Sequence, residues 1–575
     1  MTQLIRAARG FALAAAFGLP LTGAAFADSS FSGAYLAAQH AARAGDVDAA
    51  ATYFQEALDR DPDDLRLMEQ ALLYQAAAGR MDEAMELSSR LNVFDAKNRV
   101  ATLLLVAKDM KAGEYAALAD RVEQAKQGIH PLVGEMFRGW AAFGQGDEPA
   151  AEAAFGALDE RPVFRIFSLY HTALARHAGH EPERAIETYR ELAAVLDAPP
   201  TGRVARAYAA ALVDAGQADE ARTVHEAAAA LGVGDDTLEE EIAALADPAA
   251  GAPLVETPAE GAAEALFGLA SAVSGDGDPR LSLLYARLAT WLRPDFHEST
   301  LLVAEILAAN DQQAAAIRAY ESIPPGSRLI RAAEIGRAEA LHRMGRDDEA
   351  VEALKAVTRR APEAADPQIA LGDLLRRTER FSEAAKAYDS AIKLMAADDR
   401  SSWALLYQRG ISYERSNQWD KAEADFLAAL EQEPDQPLVL NYLGYSWLEK
   451  GVNFDKAMEM IRKAVEQRPE DGYIVDSLGW GYYLLGDFDN AAAELERAVE
   501  LQPVDPTIND HYGDALWRVG RRMEAEFQWK RALSFDPEDK IRDRIRRKLE
   551  RGLDAVLAEE AAAKPAAAGA SANDG

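Results

Sequence analysis

The sequence predicts an all-α fold, an α-solenoid of about 13–14 helix–turn–helix repeats closed by a C-terminal capping helix. The prediction starts from Gly444, Gly479 and Gly513, which lie 35 and 34 residues apart. Four further positions recur in phase with each glycine: a bulky residue, an alanine, a second alanine and a proline. They are Trp447, Tyr482 and Leu516; Ala457, Ala491 and Ala525; Ala464, Ala498 and Ala532; and Pro469, Pro503 and Pro537.

Each recurring position has a physical reason. Glycine and alanine let the two helices of a repeat approach closely, and bulky residues fill the space between neighbouring repeats. Proline ends the second helix because it cannot continue the helix that precedes it. In the turn that follows Gly486, Asp489 is predicted as the N-cap of the second helix. Asp505 and Pro506 are predicted as the N-cap and the first residue of the next repeat.

The pattern resembles the tetratricopeptide repeat (TPR) family, which implies a right-handed superhelix and a role in protein binding. The segments 473–480 and 505–511 resemble a narrower group, the large exported TPR proteins of bacteria. Some of these are outer-membrane lipoproteins that bring peptidoglycan hydrolases to a carboxyl-terminal-processing protease in the periplasm. This chain departs from that group because it has no cysteine for lipid attachment.

Weaker forms of the pattern extend the array in both directions. The predicted organisation is a signal peptide (1–27), a degenerate repeat block (28–231), a linker or kink (232–261), a second repeat block (262–540, most regular over 402–537), a capping helix (541–557) and a disordered tail (558–575). Prolines among alanines, glycines and acids motivate the linker. The alternative is a long inter-helix loop within one continuous spiral. The capping helix has one apolar face, formed by Ile541, Ile545, Leu549 and Leu553.

The first 27 residues are typical of a secretory signal peptide. Arg6 and Arg9 precede a short apolar run, and Ala25 and Ala27 frame a small-x-small cleavage site. We therefore expect cleavage after Ala27 and an exported, soluble, periplasmic protein, with peripheral association with the outer membrane left open. Since the chain has no cysteine, disulfides and thiolate metal sites are excluded.

The net charge of −33 becomes −35 when the signal peptide is removed. Such a chain repels nucleic acid and anionic lipid headgroups and attracts basic partners. One segment differs: residues 517–551 carry twelve basic side chains against seven acidic ones. This segment is either a docking surface for an acidic partner or anionic surface, or a solvated helix face.

The repeats leave no room for a catalytic domain, so the chain is predicted to be no enzyme and to hold no cofactor and no metal. His171, His177 and His180 come nearest to a metal cluster. No flanking acid motif frames them, so surface or packing roles are favoured over ligation.

Binding is the remaining role. The TPR resemblance places the first helix of each repeat on the concave face, where aromatic and acidic residues suit a basic, partly apolar peptide. The predicted partner-binding residues are Asn441, Tyr445, Asp476, Trp480, Tyr483, Asp510, Asp514 and Trp517. The alternative for Trp480 and Trp517 is packing between repeats.

The sequence thus predicts a non-enzymatic periplasmic scaffold or adaptor for protein partners, with a processing protease and peptidoglycan hydrolases as the partners that the resemblance implies. The alternatives are a component of an envelope assembly or polysaccharide-export machine, and an enzyme on an unfamiliar helical scaffold. The proteins captured from periplasm would separate the first two hypotheses.

Overall fold

The computed structural model describes residues 31–125, 129–159, 161–230, 242–274, 279–396 and 402–570. Every regular element in these ranges is a helix, so the predicted all-α solenoid is confirmed. The predicted signal peptide lies outside the described residues.

The chain divides into two compact units, Met1–Ile330 and Arg331–Gly575. The division falls at 330/331, whereas the sequence analysis predicts a linker or kink at 232–261. The helices of the first unit are α1 (Phe31–Arg43), α2 (Val47–Arg60), α3 (Leu65–Ala77), α4 (Met81–Phe94), α5 (Arg99–Ala112), α6 (Tyr115–Gln124), α7 (Pro131–Gly144), α8 (Glu148–Gly156), α9 (Pro162–Ala178), α10 (Pro182–Leu196), α11 (Gly202–Asp214), α12 (Ala218–Ala230), α13 (Pro258–Val273), α14 (Pro279–Leu292), α15 (His297–Ala309) and α16 (Gln313–Glu321), with a 3-10 helix at Pro248–Gly251.

The second unit continues the series of helices from the boundary. They are α17 (Ile330–Arg343), α18 (Asp347–Arg360), α19 (Asp366–Arg377), α20 (Phe381–Ala396), α21 (Trp403–Arg415), α22 (Trp419–Gln432), α23 (Pro437–Lys450), α24 (Phe454–Gln467), α25 (Gly472–Leu484), α26 (Phe488–Leu501), α27 (Pro506–Arg518), α28 (Arg522–Ser534), α29 (Asp539–Arg551) and α30 (Leu553–Ala570).

Consecutive helices pair as antiparallel hairpins, and the recurring glycines lie where the two helices of a hairpin approach most closely. A Cβ atom on Gly139 of α7 would lie 2.2 Å from the ring of Phe155 in α8. A Cβ atom on Gly513 of α27 would lie 2.4 Å from Nε1 of Trp529 in α28. Any side chain at these positions would push the two helices apart, which explains why glycine recurs with the period of the repeat.

The predicted caps are partly correct. Asp505 is the N-cap of α27, where its carboxylate accepts two backbone N–H groups at 2.8 and 2.9 Å, and Pro506 begins the helix. The N-cap of α26 is Asp487 and not Asp489 as predicted, because the helix begins at Phe488. Asp489 lies in the first turn instead, where a negative charge is favourable.

In the first unit, the chain folds back on itself after its sixth hairpin. Helix α13 packs across α5, α7 and α9, and α14 packs against α3 and α5. The covered helices α3, α5, α7 and α9 are the first helices of their hairpins. The face that the TPR resemblance assigns to partners is therefore covered by later helices of the same chain. Residues 258–261, expected in a linker, form the first turn of α13.

The C-terminal end also differs from the prediction. The expected single capping helix over 541–557 is two helices, α29 and α30, which meet at Gly552 in the left-handed region with φ 81°. A Cβ atom on Gly552 would lie 2.7 Å from the ring of Trp517, so a larger residue would clash as well as strain the backbone. Helix α30 continues to Ala570, into the segment predicted as a disordered tail.

Candidate functional site

The eight predicted partner-binding residues lie on three first helices of the second unit, α23, α25 and α27. Helix α25 packs against both α23 and α27, so these helices form one continuous face. Asn441 and Tyr445 are on α23, and the other six residues are divided between α25 and α27. The structure therefore brings the predicted residues together, but it leaves them with different exposures and partners.

Trp480 and Tyr483 form part of the packed floor of this face. The Trp480 ring is stacked between Tyr483 and His511, with ring centroids 4.6 and 4.0 Å away. Its Nε1 donates to Glu449 Oε1 at 2.7 Å. Both aromatic side chains are only 9% exposed. This geometry matches the alternative interpretation of Trp480 as a residue packed between repeats.

Asp476 has an internal partner, His511, which the sequence analysis did not assign to the site. The ring Nδ1 lies 3.0 Å from Asp476 Oδ1, and both side chains are buried. Burial alone would lower the pKa of His511, but Asp476, Asp510 and Asp514 together raise it above its usual value. The one sequence signal for this pair was spacing, because His511 follows Asp476 by 35 residues, which is one repeat.

The His511 pair gives the second unit a definite pH dependence. Since the pKa of His511 is raised in the folded state, its stabilising contribution is complete below the usual histidine pKa of about 6.5 and is lost as pH rises through the folded value. We expect the loss of unfolding free energy caused by His511→Asn to be largest near pH 5.5 and to shrink toward pH 9.

The comparison must be made between wild type and variant at each pH. His171 is buried, and burial lowers its pKa to about 3, so it contributes a pH dependence of opposite sign. A His511→Asn difference that stays constant, or grows with pH, would contradict the charged pair.

Asp510 and Asp514, which the sequence analysis predicts as partner-binding residues, are paired with a lysine of the chain itself. The Lys548 ammonium of α29 lies 2.8 Å from Asp510 Oδ1 and 2.6 Å from Asp514 Oδ1. Lys548 and Asp514 are fully buried. Trp529 Nε1 donates to Asp514 at 3.0 Å, and the Arg544 guanidinium lies 3.5 Å from the same carboxylate. Burial, followed by the charge of Asp514, raises the pKa of Asp510.

Trp517 is also engaged by the C-terminal helices. Its Nε1 donates to Asp554 Oδ2 at 3.0 Å, and its ring packs against Gly552. The guanidinium of Arg522, the first residue of α28, lies 4.9 Å from the centroid of the Trp517 ring. The side chain is half-buried, and it anchors the junction between α29 and α30.

Asn441 and Tyr445 stand beside the open part of the face. A cleft of about 390 Å³, called here the Tyr445 cleft, is lined by Glu414, Tyr442, Tyr445, Ser446, Glu449 and Lys450. Burial, then the charges of Glu449 and Asp476, raise the pKa of Tyr445, so its phenol is neutral at physiological pH. Asn441 Oδ1, one helical turn away, is buried and accepts no hydrogen bond from the described residues.

The Tyr445 cleft is lined by two carboxylates and one ammonium, so its lining carries a net negative charge. Glu414 accepts from Tyr442 at 3.3 Å and Glu449 accepts from Trp480, both neutral donors. Within the described residues neither carboxylate pairs with a lysine or arginine, and the Lys450 ammonium lies over the Trp419 ring at 4.6 Å. Carboxylates beside tyrosine rings suit a cationic side chain.

The basic segment 517–551 is largely neutralised within the chain. Arg544 and Arg547 face Glu560, Arg551 faces Glu559, and Arg542 faces Asp536. These ion pairs favour the second interpretation of the sequence analysis, a solvated helix face, over a docking surface for an acidic partner.

Two of the three histidines considered for a metal site, His171 and His177, have other polar partners. His171 Nδ1 is 3.1 Å from Trp140 Nε1, which donates to it, and His177 lies 3.5 Å from Asp214. Among the residues that the structure describes, no group of three or more histidines and acids is placed to hold a metal ion.

Comparison with known proteins defines the class of the repeats. The tetratricopeptide repeat family model matches residues 35–91, 335–401, 407–472 and 477–539. These stretches are tetratricopeptide repeats, and such repeats imply a scaffold for protein–protein interaction. No curated protein matches the chain.

Several solved structures are similar to the chain at low identity. A tetratricopeptide repeat protein from Parabacteroides merdae ATCC 43184 is 16% identical, with a TM-score of 0.37, over 44% of this chain and 97% of that one. The APC/C hetero-tetramer Cut9–Hcn1 is 13% identical, with a TM-score of 0.38, over 92% and 97%. YrrB, a TPR protein with an unusual peptide-binding site, is 21% identical, with a TM-score of 0.26, over 33% and 96%.

In the described part of this chain, no helix combines the length and the apolar character needed to cross a membrane.

Proposed function

We propose that this protein is a non-enzymatic periplasmic scaffold that binds a protein partner in the Tyr445 cleft. The observation that carries the proposal is the contrast along one face of the second unit. Asp510, Asp514 and Trp517 are engaged by the chain's own C-terminal helices, whereas the Tyr445 cleft is open, aromatic and acidic. The tetratricopeptide repeats support a role in protein binding, and the Tyr445 cleft is the surface proposed to bind the partner.

The partners proposed are a periplasmic processing protease and the peptidoglycan hydrolases delivered to it, as the sequence resemblance implies. Export follows from the signal-like residues 1–27, and the mature chain would begin at Asp28. The alternative function is a component of an envelope assembly or polysaccharide-export machine. Capture from periplasmic extract, with the N-terminus of the recovered bait determined by mass spectrometry, tests the partners and the location together.

Tyr445→Ala is the substitution that tests the cleft. Truncating an aromatic anchor at the centre of an interface typically costs about 2 kcal/mol or more, which is roughly a thirtyfold loss of affinity. We expect that loss for the captured partner, measured by titration calorimetry.

Tyr53→Ala is the matched control, because Tyr53 is an exposed tyrosine on α2 of the first unit. It should leave the affinity unchanged, and the melting temperature of each variant should be recorded beside it. Equal affinities for wild type and Tyr445→Ala would move the binding site away from the cleft.

A further inference from the structure

Helix α29 binds the repeat face of its own chain and so shows which kind of ligand that face accepts. Helix α29 presents Ile541, Arg544, Ile545 and Lys548 at helical spacing. Ile545 and Lys548 are both fully buried. The Lys548 ammonium reaches two carboxylates of α27 and lies 5.7 Å from the Trp529 ring centroid. An α-helix that carries a cation beside aliphatic side chains therefore fits against a first helix of these repeats.

The residues beside the Tyr445 cleft stand at the same repeat positions as those that receive Lys548. Asp510 and Asp514 lie three residues before and one residue after Gly513, and Asn441 and Tyr445 lie at the same offsets from Gly444. At the cleft, Glu414 of α21 and Glu449 of α23 supply the carboxylates, and Tyr442 and Tyr445 of α23 supply the aromatic surface.

Two features of the cleft suit a cationic side chain of a partner. Its two carboxylates accept hydrogen bonds from neutral donors, and in the part of the chain that the structure describes no basic side chain pairs with them. The cleft volume of about 390 Å³ falls in the range of pockets that hold several side-chain-sized groups.

We propose that the occupant of the Tyr445 cleft is a basic amphipathic α-helix of the partner protein, with a lysine or arginine placed between Glu414 and Glu449 and aliphatic residues against Tyr442 and Tyr445. The proposal rests on the cleft being the docking site, and it adds the secondary structure and the chemistry of the occupant. The net charge of −33 favours the approach of such a helix.

The probe is a fluorescent, helix-constrained peptide with the sequence of residues 539–551, added to the full chain. The chain's own α29 is tethered to Asp510 and Asp514, where its high effective concentration excludes the probe, so the probe is directed to the open cleft. Fluorescence anisotropy should show saturable binding that weakens with added salt.

The double variant Glu414→Gln/Glu449→Gln keeps both hydrogen-bond acceptors and removes both charges. It should weaken binding of the probe about tenfold or more, because hydrogen bonds to charged groups are the strong ones. Tyr445→Ala should weaken binding similarly, and Tyr53→Ala should not. A probe that carries Glu in place of Lys548 should bind at least tenfold more weakly.

Two results would overturn the proposal of a helical occupant. The first would leave docking in the Tyr445 cleft intact, and the second would exclude the cleft as the docking site. An unconstrained peptide of the same composition with Pro in place of Ile545 cannot form the helix. If it binds the cleft as well as the helical probe does, the occupant is not a helix, while docking in the cleft survives. If neither peptide responds to Tyr445→Ala, and capture of the periplasmic partner does not respond either, the cleft itself is the wrong site.

Discussion

Replacing Lys548 with alanine is expected to destabilise the second unit by about 3–5 kcal/mol, the typical cost of breaking a buried ion pair from one side. The ammonium is fully buried and within 2.8 Å of Asp510 and 2.6 Å of Asp514. Without it, two carboxylates remain buried, and the longer contacts of Arg544, at 3.8 and 3.5 Å, and the charge of His511 offset their charge only in part.

The destabilisation of Lys548→Ala should depend on pH. The pKa of Asp510 is already raised by burial and by Asp514, and it should rise further when the ammonium is removed. A carboxyl group with a raised folded pKa destabilises the protein above that pKa, and protonation relieves the cost. The difference in unfolding free energy between wild type and variant should therefore be largest near neutral pH and shrink in acid.

Lys540→Ala is the matched control, because Lys540 is an exposed lysine of the same helix. It should change the unfolding free energy by less than about 0.5 kcal/mol. Hydrogen exchange should rise in α27 to α30 of Lys548→Ala and stay unchanged in the first unit, since neighbouring repeats stabilise one another locally. A loss below about 1 kcal/mol, or one that does not change with pH, would show that the pair contributes little.

The local part of this fold could be predicted from sequence, since it depends on residues close together in the chain. The glycine period, the prolines and the Asp505 cap each act within one repeat. The predicted binding residues were also brought to one face, because the period places them on the first helices α23, α25 and α27. Periodicity indicates where a side chain stands, but not what covers it.

What covers the face is set by contacts between distant parts of the chain. Lys548 follows Asp510 by 38 residues, and in the sequence it looked like one of twelve basic residues in a charged segment. Similarly, the prolines of 232–261 suggested a linker, whereas Gly261 lies in the first turn of a helix that packs against Trp140. A Cβ atom on Gly261 would lie 2.2 Å from the Trp140 ring. A single sequence carries no signal for either long-range contact.

Arg203, a largely buried cation, links α13 to the earlier helices of the first unit. Its replacement is the other substitution expected to have a large effect. Arg203 of α11 donates to both oxygens of Glu264 in α13, at 2.7 and 2.6 Å, and also pairs with Glu298 of α15. Its guanidinium lies 4.6 Å from the Phe296 ring centroid. Arg203 therefore ties three separate helices together.

The neighbours of Arg203 depend on its charge. Glu264 is 2% exposed and accepts a further hydrogen bond from Tyr170 at 3.0 Å. Burial would raise the pKa of Glu298, but Arg203 and Arg328 lower it. Glu298 is therefore held ionised in a largely buried setting by two guanidinium groups.

Arg203→Ala is expected to lower the unfolding free energy of the first unit by about 3–5 kcal/mol, because Glu264 would keep a buried charge without its bidentate partner. Arg203→Lys should recover only part of this loss, since a lysine keeps the charge but cannot form the two parallel hydrogen bonds.

Arg165→Ala is the control: Arg165 pairs with Glu191 at the surface, and its removal should cost no more than about 1 kcal/mol. Chemical denaturation gives the free energies, and hydrogen exchange should rise first over α13 and α15. If Arg203→Ala were no more destabilising than Arg165→Ala, the return of α13 would be held by apolar packing against α5, α7 and α9 and not by the ion pair.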